Sequence, residues 1–272
     1  MDASKGNVRD FWDRAACGED LYLTSETVEG YASQAKRRYQ LEPYILPFAD
    51  FGRWSGQKVL EVGMGLGADH QKFAEAGAEL WGIDLTEQAV QHTARRLELL
   101  GLQSTLTTGD AENLDFPNDA FDMVYSWGVI HHSPDTARAA REILRVLRPG
   151  GSFRVMIYNK FSVIGVMLWL RYALFAGRPL RSLDDVYAHH LESPGTKAYT
   201  STEAALLFDG AEDLRIETVL THGDLLEGEA GQRHRGALLW VARRIWPRRL
   251  IRAVFPRSGL FMLISGRKRA LG

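Results

Sequence analysis

Between Lys58 and Tyr158, short apolar runs alternate with longer stretches of helical period, and this alternation constrains the fold more than any other feature. Residues 58–63, 79–84, 102–108, 121–127 and 152–158 read as strands. Residues 68–76 read as a helix, and a second helix is N-capped by Thr86, carries Ala89, Val90, Ala94, Leu97 and Leu100 at helical spacing, and stops at Gly101. A third spans 135–147, halted by Pro149-Gly150-Gly151. Strands that alternate with helices imply a parallel sheet covered on both faces, the doubly wound α/β arrangement. The expected organisation is an N-terminal helical segment 1–50 that joins a cap, a core 51–158, a helical insert 159–200, and a C-terminal part 201–272. The last part returns to the core with a helix at 202–208 and strands at 214–221 and 260–265, and holds a basic, apolar insert at 222–257. Both inserts follow carboxyl ends of strands, the edge where open α/β sheets bind ligands, so they are expected to roof the site.

That site begins at Glu61-Val62-Gly63-Met64-Gly65-Leu66-Gly67-Ala68-Asp69, where apolar residues enter a strand and glycines turn it into a helix. Glycine allows close backbone approach to a ligand and the unusual dihedrals of a tight turn. Gly63, Gly65 and Ala68 satisfy G-x-G-x-x-G/A, and Asp84 lies 21 residues after Gly63, where a ribose-binding carboxylate belongs. On this loop alone an NAD-dependent oxidoreductase is an alternative. Three further features separate the two readings. Glu61 stands two residues before the first glycine, Gly109-Asp110-Ala111-Glu112 closes the third strand, and Phe121-Asp122-Met123-Val124-Tyr125-Ser126 is followed by His131-His132 and by Arg145-Val146-Leu147-Arg148-Pro149-Gly150-Gly151.

In order and spacing, the run from about Arg38 to Asn159 resembles the class I S-adenosylmethionine-dependent methyltransferases, of the subgroup that includes quinone, sterol and natural-product methyltransferases. The resemblance implies a Rossmann-like core with S-adenosylmethionine as cofactor. It implies that Glu61, Gly63, Gly65 and Gly67 lie against the methionine part, that Asp84 binds the ribose hydroxyls with Leu85 packed on the adenine, and that Asp110 and Ala111 contact the adenine. Ser126 and Trp127 then flank the sulfonium. His131 and His132, just past the fourth strand, are the candidate general bases, because imidazole titrates near neutral pH. Tyr199, in the first insert, is a third catalytic candidate, and His189 and His190 could approach from the same roof. No metal site is expected, since His189-His190 has no nearby cysteine or carboxylate cluster, and no P-loop pattern occurs.

The inserts bear on the acceptor. Residues 161–175 are apolar nearly all round, as expected of a helix buried under a cap. Residues 233–272 hold eleven Lys or Arg and no Asp or Glu, while the first 232 residues balance 22 basic against 34 acidic. Apolar faces with arginine pairs at 243–244 and 248–249 describe either a lid over a greasy ligand or, across 237–257, an amphipathic helix on an anionic membrane. The acceptor is therefore expected to be a small hydrophobic molecule methylated on O, N or C. A non-catalytic cofactor-binding protein at a membrane surface is the remaining alternative. Nucleic acid is not expected as a partner, because the basic residues form no stripe with stacking aromatics. Cys17, the single cysteine, excludes an internal disulfide framework, and the start Met1-Asp2-Ala3-Ser4-Lys5 lacks the apolar core of a secretory signal, so a cytoplasmic protein is expected.

Overall fold

A computed structural model describes residues 3–13, 19–227, 244 and 246–270. Its centre is a seven-stranded sheet ordered β3-β2-β1-β4-β5-β7-β6. The strands are β1 (Lys58–Val62), β2 (Glu79–Asp84), β3 (Thr105–Thr108), β4 (Phe121–Trp127), β5 (Leu147–Tyr158), β6 (Ala211–Val219) and β7 (Phe261–Lys268). Strands β1 to β5 run parallel, and β7 lies antiparallel between β5 and β6. The order of connection reverses between β1 and β4, so their carboxyl ends open the crevice where such sheets take ligands. The fold is the doubly wound, mostly parallel, Rossmann-like arrangement expected from the strand–helix alternation.

Helices cover both faces. On one side α5 (Ala68–Glu75) and the short helices α4 (Ile45–Ala49) and Phe51–Trp54 bury Phe73, Ile45, Ala49 and Trp54 against Val59, Met123 and Tyr125. On the other, α7 (Thr136–Val146) and α10 (Ser201–Leu207) bury Ala139, Ile143, Val146 and Ala204 against Leu60, Val124, Phe153 and Val155. Helix α6 (Glu87–Leu100) is capped as read from the sequence: Thr86 Oγ1 accepts from the Ala89 N–H, and Gly101 ends it left-handed at φ 65°. Its buried stripe differs. Ala89 and Leu97 are buried as expected, but His92, Thr93 and Arg96 face inward too while Ala94 is exposed, because the helix packs partly on polar loop backbone.

Strand β5 starts earlier than expected. Pro149-Gly150-Gly151, expected to separate helix 135–147 from a strand at 152–158, lies within the strand, where pairing with β4 shifts register between Phe121 and Met123. Gly150 takes φ 75°, and a Cβ on Gly151 would collide with the Arg148 carbonyl, so the glycines make an irregular strand start possible.

Around the carboxyl edge lie α1 (Ala3–Trp12), α2 (Glu19–Tyr22), α3 (Val28–Leu41), α8 (Val163–Trp169), a π-helical turn Leu170–Leu174, α9 (Leu183–His190) and α11 (Arg248–Val254). The apolar run 161–175 is not buried all round. Leu168 and Ala173 pack inward, whereas Phe161 and Phe175 are 63% and 80% exposed, with Val166 and Leu174 also outward. Only one side of α8 finds a partner, Gly165 lying too close to the Tyr187 hydroxyl for any side chain. Cys17 and residues 237–243 and 245 of the basic insert lie outside the described residues, and no helix among those described is long and apolar enough to cross a membrane.

Candidate functional site

A cavity of about 380 Å³ opens at the β1/β4 reversal, within the size that encloses small organic ligands. One end is built by the glycine loop. Gly63, Gly65 and Gly67 have φ of 82°, 53° and 71°, values at which any other residue is strained. A Cβ on Gly65 would meet nothing within 4 Å, so its bare backbone faces open cavity, whereas Gly67 is pressed against the Thr93 side chain and lies off the wall. Asp84, at the end of β2, accepts from the Gly65 N–H through Oδ2 (3.1 Å), and from the Thr86 N–H and hydroxyl through Oδ1 (both 3.1 Å). No lysine or arginine among the described residues pairs with it, so spare lone pairs on this carboxylate face the cavity. Burial raises its pKa while those hydrogen bonds act in the opposite direction.

Leu85, Ala111 and Val129 add apolar walls beside Asp84. Asp110 is also on the wall, but its Oδ2 accepts from Lys5 Nζ at 2.6 Å, and Glu112 lies 2.5 Å from the same ammonium. Helix α1 is thereby fastened over this end, with Val8, Phe11 and Trp12 also lining the cavity. The N-terminal helices are anchored a second time. Arg38 of α3 grips Asp69 with Nε and Nη2 (3.1 and 2.7 Å), and the Tyr39 and Tyr125 hydroxyls donate to the same carboxylate.

The other end is aromatic and apolar: Trp127, Met156, Tyr158, Ile164, Leu191, Leu260 and Phe261. Its polar groups are Glu42, Glu192, His132 and His222. Tyr158 donates its hydroxyl to Glu192 Oε2 (2.6 Å), and His132 Nε2 lies 3.4 Å from the same oxygen, with Nδ1 2.8 Å from the Ser193 hydroxyl. Burial pushes the Glu42 carboxyl up to about 7, although the Arg38 charge and the Trp127 indole N–H pull the other way.

The expected residues thus divide. Glu61, Gly63, Gly65, Asp84, Leu85, Asp110, Ala111, Trp127 and His132 line one cavity, while Gly67, Ser126, His131 and Tyr199 do not. Ser126 is fully buried and gives its hydroxyl to the Val62 carbonyl, tying β4 to β1. His131 is packed between His132 and Tyr158 with neither ring nitrogen hydrogen-bonded, and burial holds it neutral. Tyr199 lies behind the wall, its backbone N–H on the Tyr158 carbonyl. His190 stacks on Tyr172 at 3.9 Å and pairs with Arg181, away from the cavity. Sequence reasoning missed Lys5, Arg38, Glu42, Tyr158 and Glu192. They lie far from the glycine loop in the chain, and no local pattern marks them.

Residues 60–155 match the family model described as a methyltransferase domain. The match covers the glycine loop and strands β2 to β4 with most of β5. S-adenosylmethionine is the cofactor of such domains, and the cavity fits it: spare carboxylate capacity at Asp84 for hydroxyls, open backbone at Gly65, and apolar walls for a base. Among relatives, the chain is 40% identical over 99 residues to a phthiotriol/phenolphthiotriol dimycocerosates methyltransferase of Mycobacterium leprae, covering 36% of each chain. It is 37% identical over 152 residues to a sterol 24-C-methyltransferase of Eremothecium gossypii, covering 54% of this chain and 39% of that one. The matches span less than half the length of these relatives. Among solved structures, a chain of the complex between the Haloferax volcanii Trm112 methyltransferase activator and a methyltransferase is similar in fold. Its TM-score is 0.60 at 17% identity, with 97% of this chain and 99% of that chain covered.

Proposed function

We propose that this chain transfers the methyl group of S-adenosylmethionine to an O, N or C nucleophile on a small, hydrophobic, lipid-like molecule. One observation carries the reading: a single cavity joins the Asp84–Gly65 cradle to the apolar compartment of Trp127, Met156, Ile164, Leu260 and Phe261. The relatives named for sterol and phthiotriol methylation support an acceptor of that class.

The bound cofactor supplies a methyl group on a positively charged sulfur. The chain's own groups then do the following. Asp84 accepts from the ribose hydroxyls with the lone pairs that Gly65 and Thr86 leave over, and Leu85 and Ala111 enclose the base. Trp127, at the end of β4, presents an aromatic surface to positive charge. The apolar compartment excludes water from the acceptor, and alignment of the reactants supplies much of the rate. His132, held by Ser193 and Glu192, is the histidine of the pair placed to reach an acceptor proton.

Calorimetric titration with S-adenosylhomocysteine, and with NAD in parallel, tests the reading. Micromolar binding of the first and none of the second is expected. Asp84→Ala should weaken S-adenosylhomocysteine by about ten- to a hundredfold, since a hydrogen bond to a charged carboxylate contributes roughly 1.5–3 kcal/mol. Binding of NAD alone, or unchanged affinity in the variant, would overturn the assignment.

A further inference from the structure

The acceptor end of the cavity combines an aromatic wall with two carboxylates and the Arg38 guanidinium, which is bound to Asp69. Trp127, Tyr158 and Phe261 line it as a continuous aromatic wall, with centroids 5.9 Å apart for Trp127–Phe261 and 5.8 Å for Tyr158–Phe261. Tyr44 backs that wall, stacked 6.0 Å from Trp127 and edge-on to Phe261. Two carboxylates, Glu42 and Glu192, line the same space, close enough that the charge of Glu192 raises the pKa of Glu42.

These carboxylates are unequally employed. Glu192 holds the Tyr158 hydroxyl and faces His132. Glu42 Oε2 is buried without a hydrogen bond, its nearest cation being Arg38 Nη1 at 3.5 Å, and Arg38 is already committed to Asp69 through Nε and Nη2. His222 Nδ1, on the same cavity, and the Tyr44 hydroxyl behind the wall are likewise buried without partners. Unsatisfied buried polar atoms of this kind are uncommon and call for a partner that the described residues do not supply.

The chemistry of that partner follows from what the wall offers. A carboxylate accepts hydrogen bonds only, and an aromatic face attracts cations. An ammonium presents donors only, and so matches both. An acceptor that must become an oxyanion would instead face two carboxylates, and like charge disfavours its ionised form. We propose that the methyl acceptor is a hydrophobic amine whose nitrogen sits among Glu42, Glu192 and the Trp127–Tyr158–Phe261 wall. This narrows the acceptor of the methyl-transfer reading and rests on it. The ammonium first gives a proton to a wall carboxylate, Glu42 having an oxygen that no hydrogen bond holds. The nitrogen lone pair then forms the bond to the methyl carbon as the carbon–sulfur bond breaks, and that electron pair stays on sulfur. The products are the methylated ammonium, the neutral thioether of the cofactor, and a protonated carboxyl that returns its proton to solvent.

Three eight-carbon probes of equal length test the charge preference: octylamine, octanol and octanoate. Each is titrated calorimetrically into the full chain, with and without saturating S-adenosylhomocysteine. Octylammonium is expected to bind at least about tenfold tighter than octanol, with octanoate weakest. Glu42→Gln and Glu192→Gln, each keeping the shape of the side chain, should each shrink that preference severalfold while S-adenosylhomocysteine affinity stays within about twofold. Equal binding of the three probes, tighter octanoate, or an undiminished preference in both variants would overturn the proposal. So would a Glu42→Gln variant that loses S-adenosylhomocysteine instead, since the carboxylate would then serve the cofactor. Failure of the wild-type chain to bind S-adenosylhomocysteine overturns the methyl-transfer reading separately, because the probe comparison is also made without it.

Discussion

Glu61 shows how one side chain can belong to the site and to the scaffold at once. It lines the cavity, yet Oε2 lies 2.8 Å from His70 Nδ1, whose Nε2 is 2.8 Å from the Ser104 hydroxyl, which in turn donates to the Leu80 carbonyl. That last bond uses the only hydroxyl proton, so His70 Nε2 must carry a hydrogen. In a neutral imidazole Nδ1 is then an acceptor, and Glu61 donates to it as a protonated carboxyl. Burial agrees with this direction, raising the Glu61 carboxyl well above its usual range and lowering His70 to about 3. Glu61→Gln, whose amide N–H can donate to Nδ1, is expected to stay within about 1 kcal/mol of wild type in urea unfolding. Glu61→Leu should lose about 1–3 kcal/mol by orphaning the imidazole. Equal losses in both variants would mean a charged pair. The glycines of this loop were legible in sequence because positive φ demands them at 63, 65 and 67. The Glu61–His70–Ser104 chain was not, since it closes between residues that only the folded sheet brings together.

At the scale of an element, α6 is bound to the site by one buried cation. Arg96 is fully buried and donates to the Gln71 side chain (2.7 Å), the Gln34 side chain (2.9 Å), the Leu66 carbonyl (2.8 Å) and the Tyr31 carbonyl (2.9 Å). It thereby joins α3, α5 and the glycine loop from the face of α6 that apolar periodicity had placed elsewhere. The charge survives at neutral pH: burial lowers this guanidinium only to about 10. Arg96→Met should destabilise the protein by about 2–4 kcal/mol, because several buried acceptors lose their donor together. Arg96→Lys should recover little, lacking the planar fork. Urea midpoints measure both, and full recovery by lysine would show that only charge matters. The strands and the cap of α6 were readable because they follow from period and local propensity. Its inward stripe was not, because a helix that packs on loop carbonyls buries donors instead of methyl groups.

For the whole molecule, the N-terminal helices close the cavity over a core to which they contribute no strand. Helix α1 rests on the Lys5 contacts to Asp110, 105 residues away, and to Glu112, and Asp110 lines the cavity beside Asp84. Lys5→Ala is expected to speed release of S-adenosylhomocysteine by about tenfold in stopped-flow dissociation, the loss of a partly buried, doubly paired ammonium being worth about 1–1.5 kcal/mol. An unchanged rate would mean that α1 is held by its apolar contacts alone. The doubly wound plan of the core was legible from strand–helix alternation, whereas this closure depends on charges that pair across the full length of the domain.

The position of β7 governs the order in which the protein can be assembled. It is the last strand in the chain, yet it occupies an interior place in the sheet, between β5 and β6. During synthesis β5 therefore keeps one open edge, and β6 has no strand to pair with, until residues 261–268 have left the ribosome. An open edge is a template for pairing with another chain, so the nascent protein is most prone to association in that interval. Insertion of a single strand then satisfies both edges at once.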